Sequence, residues 1–514
     1  MPKIHIALVL FLIFGLASCT SNLITDNQNI MDSGQKDSYT FDEIKSAVEE
    51  TLSQGTVFNW ENQDPFMIHS AAMLSDSFIS IGYTISPDFD IKNNIHRIDI
   101  ESTEWTDARL EIESLIVDLE NSFYSQTITI RDLQPFGRVE TLPQIIVKVQ
   151  SKETINSLRN HPNVRFVEPL GFSITDLVGS ERSDSGCDGE PENNINTNDF
   201  TTISPGIKEP WNFAFHNISQ AWNNSSKGDN VKLCIIDTGA SFSQDNLGSN
   251  FNSGDSFGRT VEKYSTKYSG HWWWRTLDSP DDPCGHGTSM AGLAAAPRSN
   301  DGNSVGVAYQ SNLMTIRAVS DVIISNSNER NGVRDALVLA ANSDVKVISM
   351  SIGTPIYSST VADGVFYANN QDKLIFGAAG TSLSWLSWYP VIFPANMSEV
   401  RAVTGVRDAA NLQKCVTCHD GPEVDFVVVM ERANNNSRTS LALARYSDQP
   451  RYSGGSSCAT ATTAGIATMV WAQNTNATRD QILDVLKGAS SFYPSRHSDL
   501  GWGTIDALQA VNNL

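Results

Sequence analysis

Tyr452-Ser453-Gly454-Gly455-Ser456-Ser457-Cys458-Ala459-Thr460-Ala461-Thr462-Thr463-Ala464-Gly465 is the stretch on which the fold of this chain turns. Two glycines and two serines run into small residues, and apolar positions continue through Ile466, Met469, Val470 and Trp471. The pattern predicts a tight loop feeding a buried helix. A serine at such a junction stands at the positive end of the helix, where unpaired backbone N–H groups can hold an anion. Taken alone, the same residues also fit a Gly/Ser loop with a serine N-cap.

Two upstream stretches narrow the choice. Val231-Lys232-Leu233-Cys234-Ile235-Ile236-Asp237-Thr238-Gly239 reads as a strand buried on both faces, as in a parallel sheet, that ends in a carboxylate and a turn glycine. Cys284-Gly285-His286-Gly287-Thr288-Ser289-Met290-Ala291-Gly292 places a histidine at the start of a small-residue helix. Singly, a strand-end Asp is a common turn former and a helix-start His is commonly solvated. Together, in the order Asp, His, Ser, they supply an orienting carboxylate, a general base and a nucleophile.

At these residues the chain resembles the subtilisin-like serine peptidases, the subtilases, from about Pro210 to Leu514. Asp237-Thr238-Gly239 matches the family's Asp motif and His286-Gly287-Thr288 its His motif. Gly455-Ser456-Ser457-Cys458-Ala459-Thr460 is similar to the family's Gly-Thr-Ser-x-Ala-Thr motif, with Ser457 on the nucleophile; Ser456 stands where Thr is usual and Ala461 where Pro is usual. Gly501-Trp502-Gly503 resembles the closing segment before the last helix, and no further domain is expected after it. The resemblance implies an α/β, three-layer domain with a mostly parallel sheet. It also implies peptide-bond hydrolysis in which Ser457 attacks, His286 moves the proton and Asp237 orients the imidazole.

The resemblance extends to the substrate side. Val347-Ile348-Ser349-Met350-Ser351-Ile352-Gly353 resembles the family's Ser-Leu-Gly strand, so Ser351, Ile352 and Gly353 are expected to pair with extended substrate; as a bare pattern the segment is also just a buried strand and turn. Ala378 and Gly380 complete the expected substrate-binding set. Phe376-Gly377-Ala378-Ala379-Gly380-Thr381 departs from the family's Ala-Ala-Gly-Asn by ending in Thr381. The family's Asn donates to the oxyanion, and losing such a donor costs about 10²–10³ in turnover, a magnitude measured on a subtilisin. Thr381 and the Ser457 N–H are the oxyanion donors expected here, in a slower peptidase or one with an altered oxyanion hole. A peptide-binding pseudopeptidase is the alternative.

Composition is compatible with this reading. The chain has 514 residues and a formal net charge of −22, which argues against a nucleic-acid partner and suits a protein working outside the cell. Its seven cysteines are too few and too scattered for a disulfide scaffold. Lys3 followed by the apolar run from Ile6 to Leu16 reads as an export signal, and Leu16-Ala17-Ser18-Cys19 resembles a bacterial lipobox in which Cys19 is lipidated. Residues 1–19 are therefore expected to be a signal and the membrane to be met only through that lipid. Thr20, rather than Asp, after the cysteine makes an outer-membrane address plausible. No later segment approaches the length of a membrane span.

Residues 20–93 read as a polar tether followed by an unassigned region with a helix around 42–52. Over 94–170, strands are expected at Ile95–Ile100, Gln126–Ile130, Gln144–Val149 and Val164–Val167, with helices through Ile112–Leu119 and Lys152–Asn160. The order β-α-β-β-α-β is that of a small α+β, ferredoxin-like domain. Its end, from Ile155 to Pro169, resembles the close of subtilase inhibitory propeptides, which implies an intramolecular propeptide partner. Residues 171–205 read as a flexible polar linker with a processing site, and 206–514 as the peptidase domain.

Three features stand beside this frame. Asp278, Asp281 and Asp282 leave a structural calcium open, although acidic turns are common and the chemistry itself calls for no cofactor. The neighbouring His271-Trp272-Trp273-Trp274-Arg275 fits a surface loop anchored by its own tryptophans, or a pocket wall. Cys415-Val416-Thr417-Cys418-His419 matches the c-type haem pattern, so a haem-bearing carrier is the third functional class, against a local disulfide or free thiols. Cys458 reads as a packing residue.

Overall fold

Residues 38–174, 186–270, 274–382 and 389–514 are described by the computed structural model. The export signal, Cys19 and the tether to residue 37 lie outside the described residues, as do 175–185 of the linker and His271–Trp273. Among the described residues, no helix is long and apolar enough to cross a membrane.

The N-terminal part is built on two capped helices. α1 (Phe41–Ser53) opens with a capping box between Thr40 and Glu43, and α2 (Pro65–Met73) with Asp64 accepting the Phe66 N–H. Next comes β1 (Phe78–Tyr83), buried at all six positions. After α3 (Thr103–Glu120), β1 is flanked on its two sides by antiparallel β2 (Gln144–Lys148) and β3 (Val164–Pro169), with α4 (Lys152–Arg159) between the two in sequence. The ordered α+β unit thus begins at α1, and its central strand falls in the stretch the sequence left unassigned.

Two expected strands are absent from this sheet. Ile95–Arg97 is a 3-10 turn, and Gln126–Ile130 runs into a helical turn at Ile130–Leu133. Ile95 and Ile100 are both buried, so the β-branched residues pin a turn to the core instead of lining a sheet face. In the strand that does form, Gly82 lets β3 close in: a Cβ there would lie 2.2 Å from the Phe166 ring.

The large sheet matches the expected fold class. Its strands are β4 (Lys232–Asp237), β5 (Val261–Ser265), β6 (Asn312–Arg317), β7 (Val345–Met350), β8 (Leu374–Ala378), β9 (Val400–Arg407), β10 (Val424–Arg432), β11 (Asn435–Ala442) and β12 (Arg451–Ser453). In space the order is β12-β11-β10-β9-β8-β7-β4-β6-β5. All pairings from β5 to β10 are parallel, and β11 and β12 are antiparallel additions. Helices α5 (His286–Ala295), α6 (Ser327–Ala341), α7 (Ser359–Asn370), α8 (Gly455–Trp471), α9 (Arg479–Gly488) and α10 (Ala507–Asn512) cover it. β5 escaped the sequence reading because it is an edge strand whose Glu262 and Lys263 are half-exposed, leaving no apolar run to detect.

α8 is buried from Cys458 to Trp471, as its small-residue sequence requires, and packs with α5 in one apolar cluster. On the other face, α6 and α7 share a second cluster with the N-terminal unit, running from Ile44 and Val147 to Val333, Val361 and Ile348. That shared core is framed by polar grips. The Glu168 carboxylate, 2% exposed, accepts from Ser359 N–H, Thr360 N–H and the hydroxyls of Ser358 and Thr360 at 2.7–2.9 Å, at the positive end of α7. Arg165 pairs with Asp363 at 2.7 Å, and Gln144 donates to the same carboxylate at 2.7 Å. Arg330 is buried and donates to the Leu170 and Phe172 carbonyls; its burial pushes the guanidinium pKa down.

Glu168→Ala removes the acceptor for four donors at a helix start and is expected to destabilise the full chain by about 3 kcal/mol, read as a lower urea midpoint. An unchanged midpoint would show that these donors find water instead.

Candidate active site

Asp237 ends β4 and is fully buried; its Oδ1 accepts the Thr238 N–H at 2.7 Å and lies 2.8 Å from His286 Nδ1. His286 is the first residue of α5. The two elements meet because Gly287 has no side chain: a Cβ there would lie 2.3 Å from the Gly239 carbonyl oxygen. Burial pushes the His286 pKa down, but the charge and hydrogen bond of Asp237 outweigh it, so the imidazole sits above its ordinary 6.5.

Asp282 holds this contact from behind. It is 1% exposed and accepts from Thr238 Oγ1, Gly285 N–H, Thr288 N–H and Thr288 Oγ1 at 2.7–2.8 Å. Thr238 Oγ1 in turn accepts the Gly287 N–H at 2.9 Å. Burial raises the Asp282 pKa and its four donors pull it back, with a net rise. The sequence reading grouped Asp282 with Asp278 and Asp281 as a calcium candidate; the other two carboxylates have partners of their own. Asp278 pairs with Lys267 at 3.0 Å, and Asp281 accepts the Phe242 N–H at 2.8 Å. Among the described residues, no group of three or more His, Cys, Asp or Glu is placed to hold a metal ion.

Ser457 is the third residue of α8, in the turn where N–H groups have no intrahelical carbonyl. Its hydroxyl donates to the Ser351 carbonyl at 3.5 Å, and Ser351 Oγ donates back to the Ser457 carbonyl at 3.1 Å. β7 runs beside β4 with Met350 opposite Ile236, so Ser351 and Asp237 leave the same end of adjacent strands. The structure thus bonds Asp237 to His286 directly, while Ser457 is bonded to the substrate-strand candidate.

Of the expected substrate-binding set, Ala378 closes β8, Ile352 is 2% exposed, and Gly353 is already engaged. Gly353 donates its N–H to the Val322 carbonyl and accepts the Ile324 N–H, both at 3.0 Å, so its N–H and carbonyl already have partners in the 322–324 segment. Gly380, at φ +128°, turns the chain into Thr381, which reaches the first turn of α8: Thr381 Oγ1 accepts the Ser456 N–H at 2.9 Å.

The haem-like pattern has another use. Cys415 and Cys418 form a disulfide with each other, and both nitrogens of the buried His419 ring are taken, Nδ1 at 3.0 Å from the Pro390 carbonyl and Nε2 at 2.8 Å from Ser382 Oγ. Burial pushes the His419 pKa down to about 4, leaving a neutral ring that donates from Nδ1 and accepts at Nε2. The His419 N–H donates to the Gly380 carbonyl at 2.9 Å, so this turn braces the strand end that carries Thr381. Cys458 is fully buried, its thiol pushed up to about 12 by burial, in keeping with packing.

A second disulfide, Cys187–Cys284, was not legible in the sequence, where Cys187 sat in the linker and 97 residues separate the pair. It ties the chain after residue 185 to the residue two before His286. Gly186 lies against the imidazole: a Cβ on it would stand 2.8 Å from His286 Cδ2. Arg445 N–H donates to the Gly189 carbonyl at 2.8 Å and holds the segment down.

A mostly parallel three-layer sheet with a buried helix entering from a Gly-Gly-Ser-Ser turn defines a subtilisin-like α/β domain. Residues 228–503, more than half of the chain, match the Subtilase family (peptidase S8), and the chain belongs to that family. It is similar to the thermophilic serine proteinase of Bacillus sp. (strain AK1), 24% identical over 377 residues that cover 71% of this chain and 77% of that protein. It is also similar to the thermostable alkaline protease of Halalkalibacterium halodurans, 27% identical over 74% of this chain and 86% of that one. With the minor extracellular protease Epr of Bacillus subtilis the identity is 25% over 61% of this chain and 42% of Epr. The chain is a serine endopeptidase.

Replacing Cys187 by Ser opens a cross-link across 97 residues and is expected to cost about 2–4 kcal/mol in urea unfolding. Peptide mapping should still find Cys415 joined to Cys418.

Proposed function

We propose that the chain is made as a self-inhibited, exported precursor and cleaves peptide bonds through an acyl-enzyme on Ser457. The observation that carries this is the 2.8 Å bond from Asp237 to His286 Nδ1, which leaves Nε2 as the base for a nucleophile. In this mechanism Ser457 Oγ attacks the carbonyl carbon, His286 takes its proton and returns it to the leaving amine, and Asp237 fixes the tautomer and stabilises the imidazolium. Ser457 N–H and Thr381 face the oxyanion. Peptide or protein substrate is held along Ser351, Ile352 and the Ala378–Gly380 segment, with Gly353 joining once its present partners release it. Side chains and backbone suffice for these steps.

The N-terminal α+β unit acts as the inhibitory propeptide. Support comes from Glu168, Arg165 and the carbonyls that Arg330 grips, all placed on the last strand and its continuation, against α6 and α7. Export is supported by the Lys3–Cys19 signal, by two disulfides that need an oxidising compartment, and by an extracellular relative. With the lipid at Cys19, a cut in the linker ahead of Cys187 frees the catalytic part from the membrane.

Intact masses of the chain without its signal, followed in time beside Ser457→Ala, test this. Wild type is expected to lose the propeptide while the variant stays whole; trimming of both, or of neither with no peptide hydrolysis, overturns the reading. A protonated His286 cannot accept the Ser457 proton, so activity rises with pH through a midpoint above the ordinary 6.5. Asp237→Asn is expected to cut turnover by about 10⁴, a magnitude known from another serine protease, and an acid midpoint that stays put in that variant would show that Asp237 does not act on His286.

A further inference from the structure

Thr381 has one hydroxyl proton, and the neighbouring groups decide where it points. Thr381 is exposed three residues past the end of β8, while Ser456 is 1% exposed in the first turn of α8. Their hydroxyl oxygens are 2.9 Å apart, so one proton lies between them. Thr381 Oγ1 also accepts the Ser456 N–H, and Ser456 Oγ accepts the Gly380 N–H at 3.1 Å.

With Thr381 as donor, Ser456 Oγ accepts twice and its own proton has no acceptor among the described residues. A buried hydroxyl proton without a partner is costly. With Ser456 as donor, Thr381 Oγ1 accepts from both the amide and the hydroxyl of Ser456. Its own proton is then turned to the exposed side, where water or a substrate oxygen accepts it. Only the second arrangement satisfies every group.

We infer that Ser456 is a positioning residue for the oxyanion site. Its hydroxyl, polarised by the Gly380 N–H, donates to Thr381 Oγ1 and commits the Thr381 proton to the oxyanion that forms beside Ser457. This rests on the acyl-enzyme reading of Ser457. Successive hydrogen bonds polarise one another, so the short hydroxyl becomes a stronger donor than a threonine alone. No proton is transferred: Thr381 shares its proton with the oxyanion and keeps it when the carbonyl re-forms. Gly455 makes the contact sterically open, since a Cβ there would lie 2.7 Å from Thr381 Oγ1. Behind it, Ser382 N–H donates to the Thr417 carbonyl at 3.0 Å, which fixes the backbone on the far side of Thr381.

The test measures kcat and KM on a chromogenic peptide for Ser456→Ala and Ser456→Thr, in the wild-type chain and in Thr381→Asn. In the Thr381 chain, Ser456→Ala is expected to lower kcat about ten-fold with KM changed less than about two-fold. Ser456→Thr keeps the hydroxyl and is expected to recover kcat to within about three-fold. In Thr381→Asn the amide carries its own donor, so Ser456→Ala is expected to cost less than about three-fold. Equal losses in both backgrounds, or no loss in either, overturn the inference; melting temperatures of the four Ala and Asn combinations separate misfolding from lost orientation. A wild type that neither hydrolyses peptide nor reacts with a fluorophosphonate at Ser457 overturns the peptidase reading together with it. A reactive, active wild type whose Ser456→Ala variant is unchanged overturns the inference alone.

Discussion

The 2.8 Å hydrogen bond between Asp237 and His286 joins the end of a strand to the start of a helix, and its length depends on how closely those two backbones approach. Gly287 supplies the space and Asp282 supplies the grip. The grip is a buried carboxylate with four donors, which is stable only because all four are present. Much of the surrounding sequence follows from this need: Thr238, Gly285 and Thr288 are the donors, and Gly239, at φ +116°, leaves room for the Pro280 and Asp281 carbonyls beside them. The acidic residue four positions before the histidine is thus part of the framework of the site, not part of its surface charge.

The same economy appears where the N-terminal unit meets the sheet. Apolar burial there is continuous from one unit into the other, and non-directional contact of that kind does not set orientation. Orientation comes from the charged grips. Glu168 reads the start of α7, while Arg330 and Arg165 reach across in opposite directions. Each of these groups has a partner on the other unit, so separating the two takes hydrogen bonds from buried polar groups as well as exposing apolar surface.

Much of the catalytic fold was legible because its signals are local. Apolar runs such as Leu233–Ile236 have no other way to be buried, and the small residues from Cys458 to Gly465 have little use except close helix packing. Asp237, His286 and Ser457 stood out because each closes or opens such an element. What stayed hidden was set by contacts distant in sequence. The strand at Phe78–Tyr83 carries a serine and a glycine inside its apolar run, and only the pairing of both neighbours with it makes it the centre of a sheet. Ile95–Ile100 shows the reverse, strand-like residues used as pegs for a turn. The role of Asp282 and the partner of Cys187 depend on approaches that no spacing encodes.

The bond between Cys187 and Cys284 gives the covalent map of the molecule a closed ring, entered just after residue 185 and left just before His286. A backbone nick upstream of Cys187 falls outside that ring and yields two separable polypeptides. One placed inside it yields two polypeptides that remain a single molecule until a reductant arrives. The position of Cys187 is therefore a boundary: ahead of it a cut divides the protein, and between it and Cys284 a cut only adds a pair of ends.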